Sequence, residues 1–469
     1  MEWSINTLTD SDLALIHDQA MVLLDQHGIR LLNEKARQIF AENGARVDNE
    51  QVRIPPALVA RALESVKESF TIGARNPDHS LTIGKPWPPA YGPAAGMVYA
   101  HDAEYGRRSA SMEDHRNFLK LTQTSPHVKI AVAGMIYPTD IDPYAGLYYQ
   151  MLQTIELSDK PLMGLTQDSR LAADTIEMAK IATEDRHEHY VIGVVDALSP
   201  MAWDEKMLGS LMVFAEKNQP CLITSCTMAG MSSHIRLGET LVQNHAEVLS
   251  GIILSQLIRP GAPVIYGNTS VIADMRTMIP APGAPEFSLL LNAAVRLARL
   301  VGVPCRAGGG LTDAKVLDAQ AGIEAAMNLL VTQISGADLI LQGIGLLESF
   351  STISFDKWVM DEEILDRIMR LARGMNPPEG DTVKIIGETG PGGNYLMHPS
   401  TLTGFRTEHF MPTLSDRTAF DRWEKMGTSF EARATAAWKQ RLAAYQLPEL
   451  SPAVREKLDA FVADRIASL

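Results

Sequence analysis

The feature that most constrains this chain is a sustained alternation of short apolar runs with amphipathic helical segments. The runs span residues 97–100, 129–136, 161–166, 191–196, 221–225, 264–267, 303–306 and 339–341. Helices are expected to begin near Ser111, Tyr144, Arg170, Asp204, Gly238, Pro285, Val316 and Lys357. Runs this apolar suit strands buried on both faces, as in a parallel sheet covered by helices. Eight such units close naturally into a (β/α)8 TIM barrel, an α/β fold; an open doubly wound sheet is the alternative. In a barrel the working groups sit on the turns after the strands.

Residues 1–95 read as an N-terminal helical cap and hairpin, 96–375 as the barrel, and 376–469 as a C-terminal loop and helices packed on it. Thr9 followed by Asp12 is an N-cap with an acidic N3 residue, and Gly28 closes that helix. Asn33 caps a second helix ending at Gly44, and Pro55 and Pro56 open a third over 57–70. Residues 70–84 are turn-rich, a candidate hairpin, while 85–96 (KPWPPAYGPAAG) is too proline-rich for either regular element. Beyond Met375 the chain is rich in Gly, Pro and Thr and reads as a long ordered loop. The last helix takes Ser451 as N-cap and Pro452 as N1.

A net charge of -14 with no basic face argues against a nucleic-acid partner. Three cysteines give no disulfide framework and suit a reducing compartment. The start is polar and acidic, unlike a signal peptide, and the longest apolar region, 249–258, is about half a membrane span. A cytoplasmic protein without a membrane partner is expected. No metal is expected either. Cys221 and Cys226 point to opposite faces of one run, Cys305 lies inside another, and none has a ligand partner at zinc spacing. All three read as buried core, and residues 186–189 (RHEH) as an exposed helix end.

After the seventh run comes a glycine-rich turn, GGGLTDAK from Gly308 to Lys315. Its glycines are expected to turn at φ values that other residues avoid. A phosphate could rest there, although no GxxxxGK[ST] signature is present and GxGxxG is incomplete. Lys315 reads as solvated. Tyr137, Asp196, Gln342 and Glu348 fall at or just past strand ends. Tyr99, Tyr137, Tyr266, Phe350, Phe355, Trp358 and Tyr395 scatter over strand ends and the loops after them. In a chain with 6% aromatic residues, several at one mouth would suit a cage for a quaternary ammonium group.

With these residues in view, the chain resembles the trimethylamine methyltransferase family in its non-pyrrolysine branch. The matching segments are SPMAWDEKMLGSL from Ser199, LVQNHAEVLSGIILSQLIRPGAPVIYG from Leu241, DMRTMIPAPGAPEFSLL from Asp274, GGGLTDAKVLDAQAG from Gly308, GIGLLES from Gly343 and HPSTLTGFRTEHFMPTLSDR from His398. The resemblance implies a TIM barrel that moves a methyl group from a methylated amine to the Co(I) of a separate corrinoid protein. In the pyrrolysine branch that residue occupies the turn after strand seven, where this chain has Gly310 or Leu311. The resemblance therefore points to glycine betaine or a related quaternary amine rather than trimethylamine.

Corrinoid modules carry a DxHxxG ligand motif; the nearest string here, Asp25 to Arg30, lacks the last glycine. No cofactor is expected on this chain itself, the corrinoid (cobalamin) arriving on a partner, and a homo-oligomer is expected. On this reading Asp313, Glu348 and Gln342 form the catalytic set, the two carboxylates balancing the cation. Asn268, Thr312 and the turn at Gly309, Gly310 and Leu311 hold the substrate's carboxylate. Tyr99, Tyr137, Tyr266, Phe350, Phe355, Tyr395 and His398 surround the substrate. Two other readings stand beside it: a TIM-barrel lyase or isomerase acting on a phosphorylated metabolite, and a non-catalytic betaine-binding subunit.

Overall fold

Strands that are apolar on both faces can hide both only in a parallel sheet wrapped by helices, and that arrangement forms the centre of the structure. The computed structural model describes residues 5–84, 89–378 and 380–469. The strands are β1 (Ala90–Tyr91), β2 (Ala131–Val132), β3 (Leu162–Met163), β4 (Val191–Ala197), β5 (Cys221–Ser225), β6 (Val264–Gly267), β7 (Cys305–Ala307) and β8 (Leu339–Ile340). The helices that follow them are α1 (Met112–Thr124), α2 (Pro143–Leu157), α3 (Ser169–Ala182), α4 (Glu205–Glu216), α5 (Leu237–Ile258), α6 (Pro285–Leu300), α7 (Ala319–Ser335) and α8 (Phe355–Arg373). Neighbouring strands pair in parallel in the order β1-β8-β7-β6-β5-β4-β3-β2. A parallel bridge from Tyr91 to Val128, with the Lys129 N–H donating to the Tyr91 carbonyl at 2.7 Å, closes the ring between β1 and β2. The barrel is complete.

Its first strand is not the one the hydropathy selects. Residues 99–102 lie instead in a side sheet, paired with Gly106–Ser109 and Thr352–Ser354. The true β1 sits inside the segment read as too proline-rich, of which residues 85–88 lie outside the described residues. Proline is tolerated because the ladder draws on alternate residues. Ala90 and Gly92 donate to the Asp338 and Ile340 carbonyls at 3.0 and 2.8 Å, and no N–H is asked of Pro89 or Pro93.

The N-terminal helix Asp10–Gln26 starts at the Thr9 capping box with Asp12 and buries Leu13 and Ile16 against Leu241, Leu290 and Leu297 of α5 and α6. Residues 1–4 of the polar start lie outside the described residues. Asn33 caps Glu34–Glu42. The third helix, Pro56–Leu63, is shorter than expected, because the N–H groups of Ser65 and Val66 close i to i−3 bonds that tighten its last turn. The hairpin is present as Phe70–Ile72 with Leu81–Ile83. A sheet of Ile29–Leu31, Gln51–Arg53 and Arg46–Asp48, joined by Ala202–Trp203, has no counterpart in the sequence reading.

Beyond α8 the expected long loop contains the helices Thr382–Thr389 and Pro399–Glu408, capped by Asp381 and His398. Neither buries a residue, and each is short and interrupted by a glycine, Gly387 in one and Gly404 in the other, which makes the segment read as loop. The tail helices Phe430–Ala444 and Pro452–Ala467 add an outer layer to the barrel, with Trp438 packed on Phe355, Leu458 and Val462 in the core, and Ser451 as N-cap. Among the described residues no helix is long and apolar enough to cross a membrane.

Glu363 of α8 ties down the segment between these parts. Its carboxylate accepts the N–H groups of Thr413 at 3.1 Å, Ser415 at 3.2 Å and Leu414, and Arg367 lies 3.0 Å away. Burial penalises its charge, but bonds from Ser415, Leu414 and Arg367 outweigh that and bring it from 4.5 down to about 2. A carboxylate whose folded pKa is depressed stabilises fully above its unfolded value and loses that contribution as the pH falls through the folded one. Pepsin cleavage within 409–418 should therefore be faster in Glu363→Gln than in wild type by a ratio largest near pH 4.5 and approaching one near pH 2. A pH-independent ratio would contradict the anchor.

Candidate active site

Side chains alternate along each strand, so parity decides which residues face the barrel interior. On β5, Leu222 and Thr224 face inward, followed by Cys226 past the strand end, while Ile223 packs against Gly251 of α5. On β6 and β7, Gly267 and Arg306 face inward, and Tyr266 and Cys305 face outward. The inward residues enclose a cavity of about 400 Å³ at the C-terminal ends of the strands. Val132, Met163, Val194 and Leu222 supply apolar wall. Asp196, Thr224, Cys226, Thr269, Arg306 and Gln342 supply polar groups, and Tyr137 and Phe350 lie past the strand ends. A surface groove of about 800 Å³ beside the N-terminal sheet is lined by Arg30 and Glu50, which already pair at 2.7 Å, and it shares no lining residue with the cavity.

Two opposite charges define the cavity. Arg306, 4% exposed, donates to the Asn268 carbonyl at 2.9 Å and to the Gln342 side-chain oxygen. Its Nε has no partner, and neither does the buried hydroxyl of Thr224. Burial pushes the guanidinium down to about 10, opposed by Asp196, so it remains charged near neutrality. Asp196 lines the cavity and is exposed at its mouth. Enclosure by the barrel raises its pKa, and the Arg306 charge pulls the other way. Among the described residues no ion pair within 4.0 Å joins the two, so each keeps a charge that a ligand can answer.

Behind Arg306 stands a buried network. Asn244 donates to the Ser225 carbonyl at 3.2 Å and to Ser270 Oγ at 3.0 Å, and accepts from Asn268 at 3.1 Å, fixing the turn whose carbonyl holds the guanidinium. Gln342 has φ of +53°, a left-handed conformation uncommon for a residue with a side chain, and its N–H is held by the Pro93 carbonyl at 3.1 Å.

Of the residues singled out in the sequence, the structure brings Tyr137, Gln342 and Phe350 to the cavity, together with Asp196. The others go elsewhere. Tyr266 is outward and bonds His245 at 2.9 Å. Phe355 stacks on Phe118 with centroids 4.0 Å apart, between barrel and tail helix. Tyr99 is covered by Arg107, 3.4 Å over its ring, and Arg107 also pairs with Glu348 at 2.6 Å. Tyr395 and His398 lie in the C-terminal segment, against each other. Asn268 contributes its carbonyl rather than its side chain. Cys226 opens onto the cavity instead of the core, and His189 is buried against the Asn218 carbonyl rather than exposed.

The glycine turn has a different purpose from the expected one. None of Gly308, Gly309 and Gly310 has positive φ. They are glycines because of close approach: a Cβ on Gly310 would lie 2.6 Å from the Gly343 carbonyl, and one on Gly309 2.8 Å from Gly343 Cα. Thr312 donates to Glu324 of α7, and Asp313 accepts from Ser349 at 2.7 Å and the Gly283 N–H at 3.1 Å, so neither reaches the cavity. Leu311 is buried. The N–H groups of Gly310, Leu311 and Asp313 already bond Gly343, Gly309 and Glu324, which removes the donors a phosphate would need at those positions.

Sequence reasoning missed Arg306, although a cation inside an otherwise apolar buried strand is itself a flag. It also missed Thr224 and Cys226, whose signal is only their parity with Leu222. Among the described residues no group of three or more His, Cys, Asp or Glu is placed to hold a metal ion.

A family model described as trimethylamine methyltransferase (MTTB) matches residues 3–469. A glycine betaine methyltransferase of Desulfitobacterium hafniense (strain Y51) is 37% identical over 98% of this chain and 97% of that protein. A proline betaine:corrinoid methyltransferase of Eubacterium limosum is 32% identical over 96% of each. The structure of monomethylamine methyltransferase (MtmB) of Methanosarcina barkeri aligns over 94% of this chain and 95% of that one, with a TM-score of 0.51 at 12% identity, a likeness of fold.

The glycine contacts make a clean comparison. Gly310→Ala should destabilise the fold by about 1–3 kcal/mol through overpacking. Gly322→Ala on α7, where a Cβ meets nothing within 4 Å, should be neutral or stabilising by up to about 1 kcal/mol. Urea unfolding of both decides; equal stabilities would dismiss the close-approach account.

Proposed function

The chain belongs to the trimethylamine methyltransferase (MTTB) family, and from that premise we propose that it transfers a methyl group from the quaternary nitrogen of a betaine to the Co(I) of a corrinoid protein. One observation carries the choice of substrate: Arg306 and Asp196 face one small cavity without pairing with each other. Glycine betaine and its relatives carry the complementary charges, a carboxylate and a quaternary ammonium, on one small molecule. Trimethylamine has no group for Arg306. The glycine betaine and proline betaine enzymes among the relatives support the same substrate class.

The partner's corrinoid supplies a Co(I) nucleophile when bound. This chain's own residues bind, orient and shield. Arg306 belongs to β7 itself, so the substrate carboxylate sits low, on a guanidinium already steadied by Gln342 and Asn268. Tyr137 and Phe350 lie past the strand ends, so the ammonium and its methyl groups sit toward the mouth, with Asp196 to balance the charge and aromatic faces to hold it. A quaternary nitrogen leaves as a neutral tertiary amine. No proton moves at that step, and no general acid is required. The apolar residues Val132, Met163, Val194 and Leu222, set deeper in the strands than Asp196 and Thr224, exclude water from the floor of the cavity.

Reduced cobalamin incubated with glycine betaine, proline betaine, carnitine and trimethylamine, followed by its absorbance, tests the reading. Methylation by a betaine is expected; activity confined to trimethylamine would end it. Arg306→Gln should raise KM for the betaine about 10- to 100-fold, the loss of a charge-assisted bond of roughly 1.5–3 kcal/mol. Tyr137→Leu should lower turnover about tenfold, from roughly 1.4 kcal/mol of cation–π attraction. Protonation of Asp196 removes the counter-charge, so kcat/KM should fall on acidification at a pH above the ordinary aspartate range, and that limb should vanish in Asp196→Asn.

A further inference from the structure

The cavity accounts for the inward residues of the barrel mouth but not for the apolar side chains on its rim. The strand Met228–Ala229 after β5 and the hairpin of Val271–Asp274 and Ile279–Pro280 after β6 join in one three-stranded sheet. They carry Met231, Ile235, Met275, Met278 and Ile279, each 46–58% exposed and none of them lining the cavity. The two segments share one surface. Met275 Sδ and Ile235 Cδ1 close over Gly230, where an added Cβ would lie 2.9 and 3.0 Å from them.

The rim is also rigid, unlike a loop that is merely exposed. The Met228 carbonyl accepts the N–H groups of Met231, Ser232 and Ser233, each at 3.0 Å, and Gln243 of α5 donates to the Ser232 carbonyl at 2.9 Å. Met278 is held at φ of +59°, in the left-handed region that a bulky side chain seldom occupies. Strain of this kind persists where the surroundings enforce it and is concentrated at sites that bind. Arg236 and Arg276 flank the patch, each already paired with a carboxylate, Arg236 with Glu239 at 3.7 Å and Arg276 with both oxygens of Asp274 at 3.1 and 2.7 Å.

We propose that this methionine-rich rim is the docking surface for the corrinoid protein, an assignment that rests on the functional reading above. Both substrate and acceptor must use the mouth in every turnover, so the surface around it has to be covered briefly and then released. A second copy of this chain seated there would shut the cavity. Methionine side chains mould to partners through flexible, polarisable thioethers, which suits a protein surface that carries the edge of a macrocycle.

The test uses Met275→Glu and Ile235→Glu, with Leu15→Glu, 55% exposed on the N-terminal helix, as control. Two acceptors are compared at saturating glycine betaine: free Co(I) cobalamin, and a single-domain DxHxxG corrinoid protein loaded with hydroxocobalamin and reduced. Both rim variants should melt like wild type, methylate free cobalamin at the wild-type rate, and show at least a tenfold higher KM for the protein acceptor, while the control is unchanged with both. Equal losses on both acceptors, or none on the protein acceptor, would overturn the assignment. So would self-association of the wild type that the rim variants abolish. A wild type that methylates neither acceptor would bring down the functional reading, and this assignment with it.

Discussion

The structure depends on how closely the backbones after β7, β8 and β1 can approach. Gly310 lies against Gly343, and Gly343 donates to the Gly92 carbonyl at 3.1 Å, so three glycines stack across the seam where the ring closes. A fully buried ion pair secures that stack. Lys357 donates to Asp361 and, at 3.1 Å, to the Gly310 carbonyl, while Asp361 accepts the Gly345 N–H at 2.8 Å. Two charges taken out of water are costly, and removing one would strand the other. Their position is therefore fixed, and with it the loops that set Gln342 beside Arg306.

The cavity combines features that usually exclude each other: two opposite charges, close enough to shift one another's titration, yet not neutralised by contact. What keeps them apart is the network behind Arg306. Asn268 and Gln342 satisfy the guanidinium from one side, and Asn244 holds Asn268 from α5. Such a preorganised pair orders a zwitterion without reorganising, and in a low-dielectric enclosure each interaction counts for more than it would in water.

The sequence revealed the barrel because its apolar runs are long compared with the errors of reading them. It concealed β1 because a two-residue strand flanked by prolines leaves no hydropathic trace. The site was legible at Asp196, Tyr137, Gln342 and Phe350, which sit at strand ends where barrel chemistry collects. It was illegible wherever one residue of parity decides the matter. Tyr266 reads as a mouth residue until the Gly267 contacts with Leu222 and Thr224 show which of the two faces inward. Phe355 and Tyr99 were misread for another reason: helix packing and an arginine claim their faces, and neither partner is adjacent in sequence.

The ladders around the ring are of unequal length. β4 and β5 pair from Gly193–Cys221 through Ala197–Ser225, whereas β7, β8 and β1 meet over two residues at a time and β1 reaches β2 through the Tyr91–Val128 bridge. Local opening is governed by how much bonding must be given up, so where the ladder is short the loops supply the rest. Leu341 donates to the Ala307 carbonyl at 3.1 Å, Gln342 to that of Pro93 at 3.1 Å and Gly310 to that of Gly343 at 3.2 Å. The spacing between the two charges is therefore held from both sides. Two charges held at one spacing discriminate zwitterions by the distance between their own charges.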